Sequence, residues 1–136
     1  MNPPNSKLKQ MADYQRQLDY KKRAAILERV SQAMAESKRL AQEFLTLDPE
    51  LEKVILFGSL ARGVIHSEDF DIDLAVLCSR EKYLSLLVAA LNSSFHVDLA
   101  DLRSIDERIQ ASIDREGRVI FERGAISMRA EALRTL

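Results

Sequence analysis

Val54-Ile55-Leu56-Phe57-Gly58-Ser59, followed by Asp71-Ile72-Asp73-Leu74-Ala75-Val76-Leu77, is the part of the chain that decides its architecture. The first run is apolar for four residues and then broken by Gly-Ser, the pattern of a short buried strand ending in a turn. The second alternates. Ile72, Leu74 and Val76 fall on one face of a strand, and Asp71 and Asp73 on the other. Carboxylates at i and i+2 on a strand lie about 6.6 Å apart at their Cα atoms. With oxygens ~5 Å apart at an effective dielectric of ~20, they repel by on the order of 3 kcal/mol. Aspartate is also depleted in strands. A divalent cation between them would turn that cost into a gain.

Outward from this stretch the chain alternates between the two periodicities. Downstream, Arg80 to Asn92 reads as a helix carrying Leu84, Leu87, Val88 and Leu91 on one face. Phe95 to Leu102 is a third strand, with Phe95, Val97 and Leu99 facing the core and His96, Asp98 and Ala100 facing away. Ser104 and Glu107 form a capping box. The helix they open carries Ile105, Ile109 and Ile113 and stops at Gly117. Val119-Ile120-Phe121 is a fourth strand, and residues 125–136 read as a terminal helix. Upstream, Asp13 to Leu47 repeats apolar residues at helical spacing (Tyr14, Leu18, Ala25, Val30, Met34, Leu40, Ala41, Phe44), and Asp48-Pro49 ends it. A helix that long spans about 50 Å, so its first half needs a second subunit or has to bend back. Residues 1–12, with Pro3, Pro4 and Asn5, read as a flexible tail. The expectation is an α/β (α+β) fold with a small mixed sheet flanked by helices, the helices packed over one face. One domain spans residues 13–136, with its core at about 40–122.

Composition narrows the functional classes. The chain has 136 residues, 46% hydrophobic and 30% charged, enough for one domain with a core that needs no disulfide or structural metal. Cys78 is the single cysteine, so a disulfide framework and a cysteine zinc site are excluded and a cytoplasmic setting is expected. No apolar run is long enough for a bilayer. Net charge is −1, with residues 1–45 at +4 and residues 46–136 at −5. Nucleic-acid binding is therefore not expected, because it calls for a basic footprint.

Asp98 would join Asp71 and Asp73 if the second and third strands are neighbours, and three converging carboxylates suit Mg²⁺. Two such ions about 4 Å apart can clamp the attacking and leaving oxygens of a phosphoryl displacement. Gly58 allows close backbone approach, Ser59 offers a hydroxyl and an amide to phosphate, and Arg62 can add a charge-assisted contact. A P-loop is excluded, because Val64-Ile65 stand where Lys-Ser/Thr would have to be.

Phe57-Gly58-Ser59-Leu60-Ala61-Arg62-Gly63, then Asp71-Ile72-Asp73-Leu74, then Val97-Asp98-Leu99, resembles the minimal nucleotidyltransferases of the DNA polymerase beta superfamily. The resemblance implies a nucleoside triphosphate substrate, ATP in many relatives, with Mg²⁺ and transfer of the nucleoside monophosphate to an acceptor hydroxyl. It implies Ser59 as a phosphate contact and Asp71 and Asp73 as ligands of two metal ions. Asp98 would be a ligand of the catalytic metal and a possible base. It also implies a role as antitoxin to a HEPN toxin, in some relatives by adenylylating it. One departure is Phe70, where many relatives place serine before the paired acids. The alternative is a non-catalytic antitoxin that keeps the fold and acts by contact. His66 and His96 are expected at the surface, the latter beside the site, and Cys78 is expected to be inert.

Overall fold

The computed structural model describes residues 4–124. Helix α1 (Pro4–Leu47) leads into strand β1 (Lys53–Phe57), helix α2 (Gly58–Arg62), strand β2 (Ile72–Leu77), a 3-10 turn (Arg80–Lys82), helix α3 (Tyr83–Leu91), strand β3 (Val97–Asp101), helix α4 (Glu107–Glu116) and strand β4 (Arg118–Glu122). The strands form one sheet in the order β3-β2-β1-β4. β2 runs parallel to β3, and β1 is antiparallel to both β2 and β4. The sheet is therefore mixed, as expected. The proposed terminal helix at residues 125–136 lies outside the described residues.

The alternation in β1 and β2 sorts residues between two cores. Val54 and Leu56 of β1, with Ile72, Leu74 and Val76 of β2 and Val97 of β3, pack against Ala33, Leu40, Ala41 and Phe44 of α1. Leu86, Ala89 and Ala90 of α3 complete that side. On the opposite face Ile55, Phe57 and Ala75 meet Ile109 and Ile113 of α4. Helices thus cover both faces instead of one. The reason is visible in β1, which is apolar on both of its faces and must be buried on both.

Three expectations change at the element level. Helix α1 begins at Pro4, so residues 4–12 are its first turns instead of a separate tail. Proline is well tolerated in a first helical turn, where its missing N–H would have no partner anyway. The face that α3 buries is Leu86, Ala89 and Ala90, while Leu84, Val88 and Leu91 are exposed. Small residues at 89 and 90 let the helix lie close to α1. The cap of α4 is Asp106, whose side chain accepts from the Ile109 N–H at 2.9 Å; Ser104 sits in the preceding turn, its N–H donating to the Asp101 carbonyl at 2.9 Å.

Helix α1 ends where proline predicts, and buried Asp48 ties the junction down. Its carboxylate accepts from the Ser79 N–H at 2.8 Å, the Ser79 hydroxyl at 3.0 Å and the Glu50 N–H at 3.2 Å. This locks the end of α1 to the end of β2. Cys78 is buried beside it, and burial pushes its thiol up to about 11, which keeps it protonated and unreactive. At the other end α1 runs free of the domain: Leu8, Met11, Tyr14 and Tyr20 are all exposed. Among the described residues, no helix is long and apolar enough to cross a membrane.

Candidate active site

Strand register brings the acids together. In the parallel pairing of β2 with β3, Asp73 is the direct partner of Asp98. Both point to the face that α4 covers only in part, because Ala75 and Ala100, two residues on, belong to the small core under that helix. Asp71 precedes β2 on the same phase. Three carboxylates from two neighbouring strands therefore open on one side of the sheet.

Their separations are those of a ligand cluster. Asp71, His96 and Asp98 each bring a possible ligand atom within 4.8 Å of the others. His96 Nδ1 lies 3.0 Å from Asp71 Oδ1 and 3.9 Å from Asp98 Oδ1. Asp73 is set deeper, beside its strand partner Asp98. Burial first, then the charges of Asp98 and Asp71, push the Asp73 carboxyl up to about 6. That shift marks burial and a local surplus of negative charge that His96 offsets only in part. An oxygen-rich donor set under mutual repulsion fits a hard divalent cation.

Gly58 is required twice over. Its φ of +78° lies in the left-handed region that side chains avoid, and a Cβ there would run into the Asp73 carboxylate. The turn after β1 thus lets the start of α2 press against the acids. No side chain caps α2, so the amides of its first turn are left for other partners. Ser59 follows Gly58 on α2, its carbonyl accepting from Gly63 and Val64. It is half-buried and is not among the residues lining the adjoining cleft.

That cleft has a volume of about 430 Å³ and runs from Gly58, Asp73 and Asp98 to Arg62 and the α4 residues Arg108, Ser112 and Glu116. Arg62 Nε lies 3.5 Å from Glu116 Oε2. A second cavity, about 510 Å³, lies at the opposite end of β2, between Glu50, Cys78, Ser79, Arg103 and Arg123. Its arginines donate to the carbonyls of Cys78, Leu51 and Pro49, so they brace loops and are not held ready for a ligand.

Of the predicted site residues, the structure gathers Asp71, Asp73, Asp98, Gly58 and Arg62 around one opening and sets Ser59 beside them. His66 lies away, in the loop facing Lys22 and Ile26 of α1. Sequence reasoning left His96 a surface role and missed its contact with the acids. The signal was present, since His96 and Asp98 share a phase. It missed Arg108, Ser112 and Glu116 altogether.

Residues 40–125 match the family model described as Polymerase beta, Nucleotidyltransferase. The chain belongs to that family. Among its polymerase beta relatives, the protein adenylyltransferase MntA of Aphanizomenon flos-aquae is 30% identical over 105 residues, which cover 65% of this chain and 69% of MntA. A candidate nucleotidyltransferase from Sulfolobus solfataricus shares the fold at 18% identity and a TM-score of 0.52, over 74% of this chain and 90% of its own. A chain in a crystal structure of a toxin–antitoxin with AMP-PNP is 30% identical, with a TM-score of 0.48 over 62% of this chain and 73% of its own.

Proposed function

We propose that this chain transfers AMP from ATP to a hydroxyl on a partner protein, a HEPN toxin, and thereby acts as its antitoxin. The observation that carries the reading is the register of β2 on β3, which sets Asp73 against Asp98, with Asp71 close to Asp98 and Gly58 pressed on Asp73. The name of the relative MntA, a protein adenylyltransferase, supports the choice of AMP and of a protein acceptor.

In this reading Asp71 and Asp73 hold two magnesium ions, and Asp98 completes the shell of one. Bound there, magnesium supplies charge to lower the acceptor's pKa and to neutralise pyrophosphate. The residues of the chain do the rest. Ser59 and the uncapped amides of α2 contact the phosphates, and Arg62 adds a charge-assisted contact. Asp98, the more exposed member of its pair, takes the proton of the attacking hydroxyl. His96 orients Asp71 through its 3.0 Å contact. Catalysis is then mostly positioning and electrostatics, as in phosphoryl transfer generally.

The test is incubation with labelled ATP, Mg²⁺ and a HEPN protein as candidate acceptor. Label should appear on the HEPN protein, and should vanish with Asp71→Ala or with chelator. A partner that is neutralised but never labelled would establish the rival reading, an antitoxin acting by contact. The exposed apolar residues of α3 and of the free half of α1 favour some contact role beside the chemistry. We include a homodimer through α1 in the proposal, checked by light scattering of the purified chain.

A further inference from the structure

This inference rests on the nucleotide-binding reading above. We propose that Glu116 is a positioning residue for the nucleotide: steadied by Ser112, it holds Arg62 by its Nε edge and leaves the Nη fork for the phosphates.

The site needs cations near the nucleotide, yet it keeps an acid against one of them. Glu116 is the last residue of α4, and its side chain is only 10% exposed. Both of its oxygens are engaged. Ser112, one turn earlier, donates its hydroxyl to Oε1 at 2.5 Å, and Arg62 Nε approaches Oε2 at 3.5 Å. Arg62, Ser112 and Glu116 line the same cleft as Asp73 and Asp98. A carboxylate in that cleft opposes an anionic ligand, so its presence has to be offset by what it does to its neighbour.

What it does is geometric. A guanidinium presents two forks, one through Nε and one through the paired Nη atoms, and bidentate phosphate recognition needs only one of them. Left alone on the short helix α2, with 48% of its side chain exposed, Arg62 would sample many rotamers. A carboxylate paired with Nε at 3.5 Å narrows that freedom before the nucleotide arrives, which is the advantage of preorganisation. Among the described residues the Nη atoms of Arg62 have no hydrogen-bond partner.

The position of Glu116 is itself fixed by its neighbour. Gly117 packs so closely on β1 that an added Cβ would sit 3.1 Å from Ile55 Cγ2 and 2.5 Å from the Ile113 carbonyl oxygen. The Gly117 N–H closes the last turn of α4 on the Ile113 carbonyl at 2.8 Å, and Arg118, next in the chain, pairs with Leu56 of β1, so the end of α4 is tied to the sheet. Helix α4 carries Glu116 to Arg62 as a rigid arm.

The experiment is a double-mutant cycle on Mg-ATP affinity, measured by calorimetry on the full chain, with thermal melts to establish that each variant is folded. Arg62→Ala should weaken binding about tenfold, the scale of one charge-assisted contact. Glu116→Ala should weaken it several-fold. The double variant should bind no more weakly than Arg62→Ala alone, because Glu116 acts only through Arg62. Glu116→Gln, whose amide oxygen can still accept from Ser112 and Arg62, should recover most of the affinity. It carries the cycle if the alanine variant does not fold. Tighter ATP binding by Glu116→Ala would overturn the proposal, and so would a Glu116 effect that persists undiminished without Arg62. If the wild-type chain binds no ATP, the proposed function itself falls, an outcome distinct from wild-type binding that the Glu116 variants leave unchanged.

Discussion

Asp73 sits in an electrostatic conflict. Its carboxyl is raised to about 6 by burial and by two acidic neighbours. An unfolded aspartate titrates near 3.9, so the native state holds this proton more tightly than the unfolded chain does. The sign follows: below about pH 4 both states are protonated and nothing is lost, whereas stability falls as pH rises through about 6. Asp73 is partly open to solvent, so the full effect is discounted to about 1 kcal/mol. In chelator, Asp73→Asn should melt higher than wild type at pH 7.5 and equally at pH 4. Added Mg²⁺ should raise the melting temperature of wild type and not of the variant. Equal melting of the two proteins at pH 7.5 without metal would remove the claim of strain. His96 is the second lesson at this scale. Its phase put it beside Asp98, but a lone histidine has no spacing rule, and only the pairing of β2 with β3 shows that it reaches Asp71.

Elements test the reading differently. Helix α3 offers two apolar stripes, Leu84-Leu87-Val88-Leu91 and Tyr83-Leu86-Ala89-Ala90, and both have helical spacing. Hydrophobicity favours the first, but close approach to α1 selected the second, with its two alanines. Periodicity finds a helix and cannot say which of two apolar faces a neighbour will accept. Leu86→Ala should therefore cost roughly 2–5 kcal/mol in denaturant unfolding, while Leu84→Ala should stay within about 0.5 kcal/mol. Equal losses would return the buried face to the first stripe. The start of α4 gives a parallel case, since Ser104 with Glu107 satisfies the capping pattern but Asp106 performs the cap. Asp106→Ala should cost about 1 kcal/mol and Ser104→Ala a few tenths. The strands were legible throughout, because strict alternation assigns every side chain to a face once the period is known. The acids follow from that. The Arg62–Glu116 contact does not, because it joins residues far apart in sequence across α2 and α4, and no local pattern encodes it.

At the scale of the whole molecule, the sheet acts as a divider. One face is filled by the packed side chains of α1 and α3. The other is half covered by α4, so the acids at the open ends of β2 and β3 meet a cleft whose far wall is that helix. Large-to-small changes such as Leu74→Ala therefore act on stability alone, whereas changes at the acids act on ligand binding as well as stability. Helix α1 breaks the compactness of this plan. Its 44 residues span about 66 Å at the usual rise per residue, whereas a compact chain of 136 residues has a radius of gyration of about 14 Å. A rod on a small sphere drags more solvent than its mass warrants. A monomer should therefore elute early from a sizing column, at an apparent mass well above 15.5 kDa, and its small-angle scattering should give a radius clearly larger than the compact value.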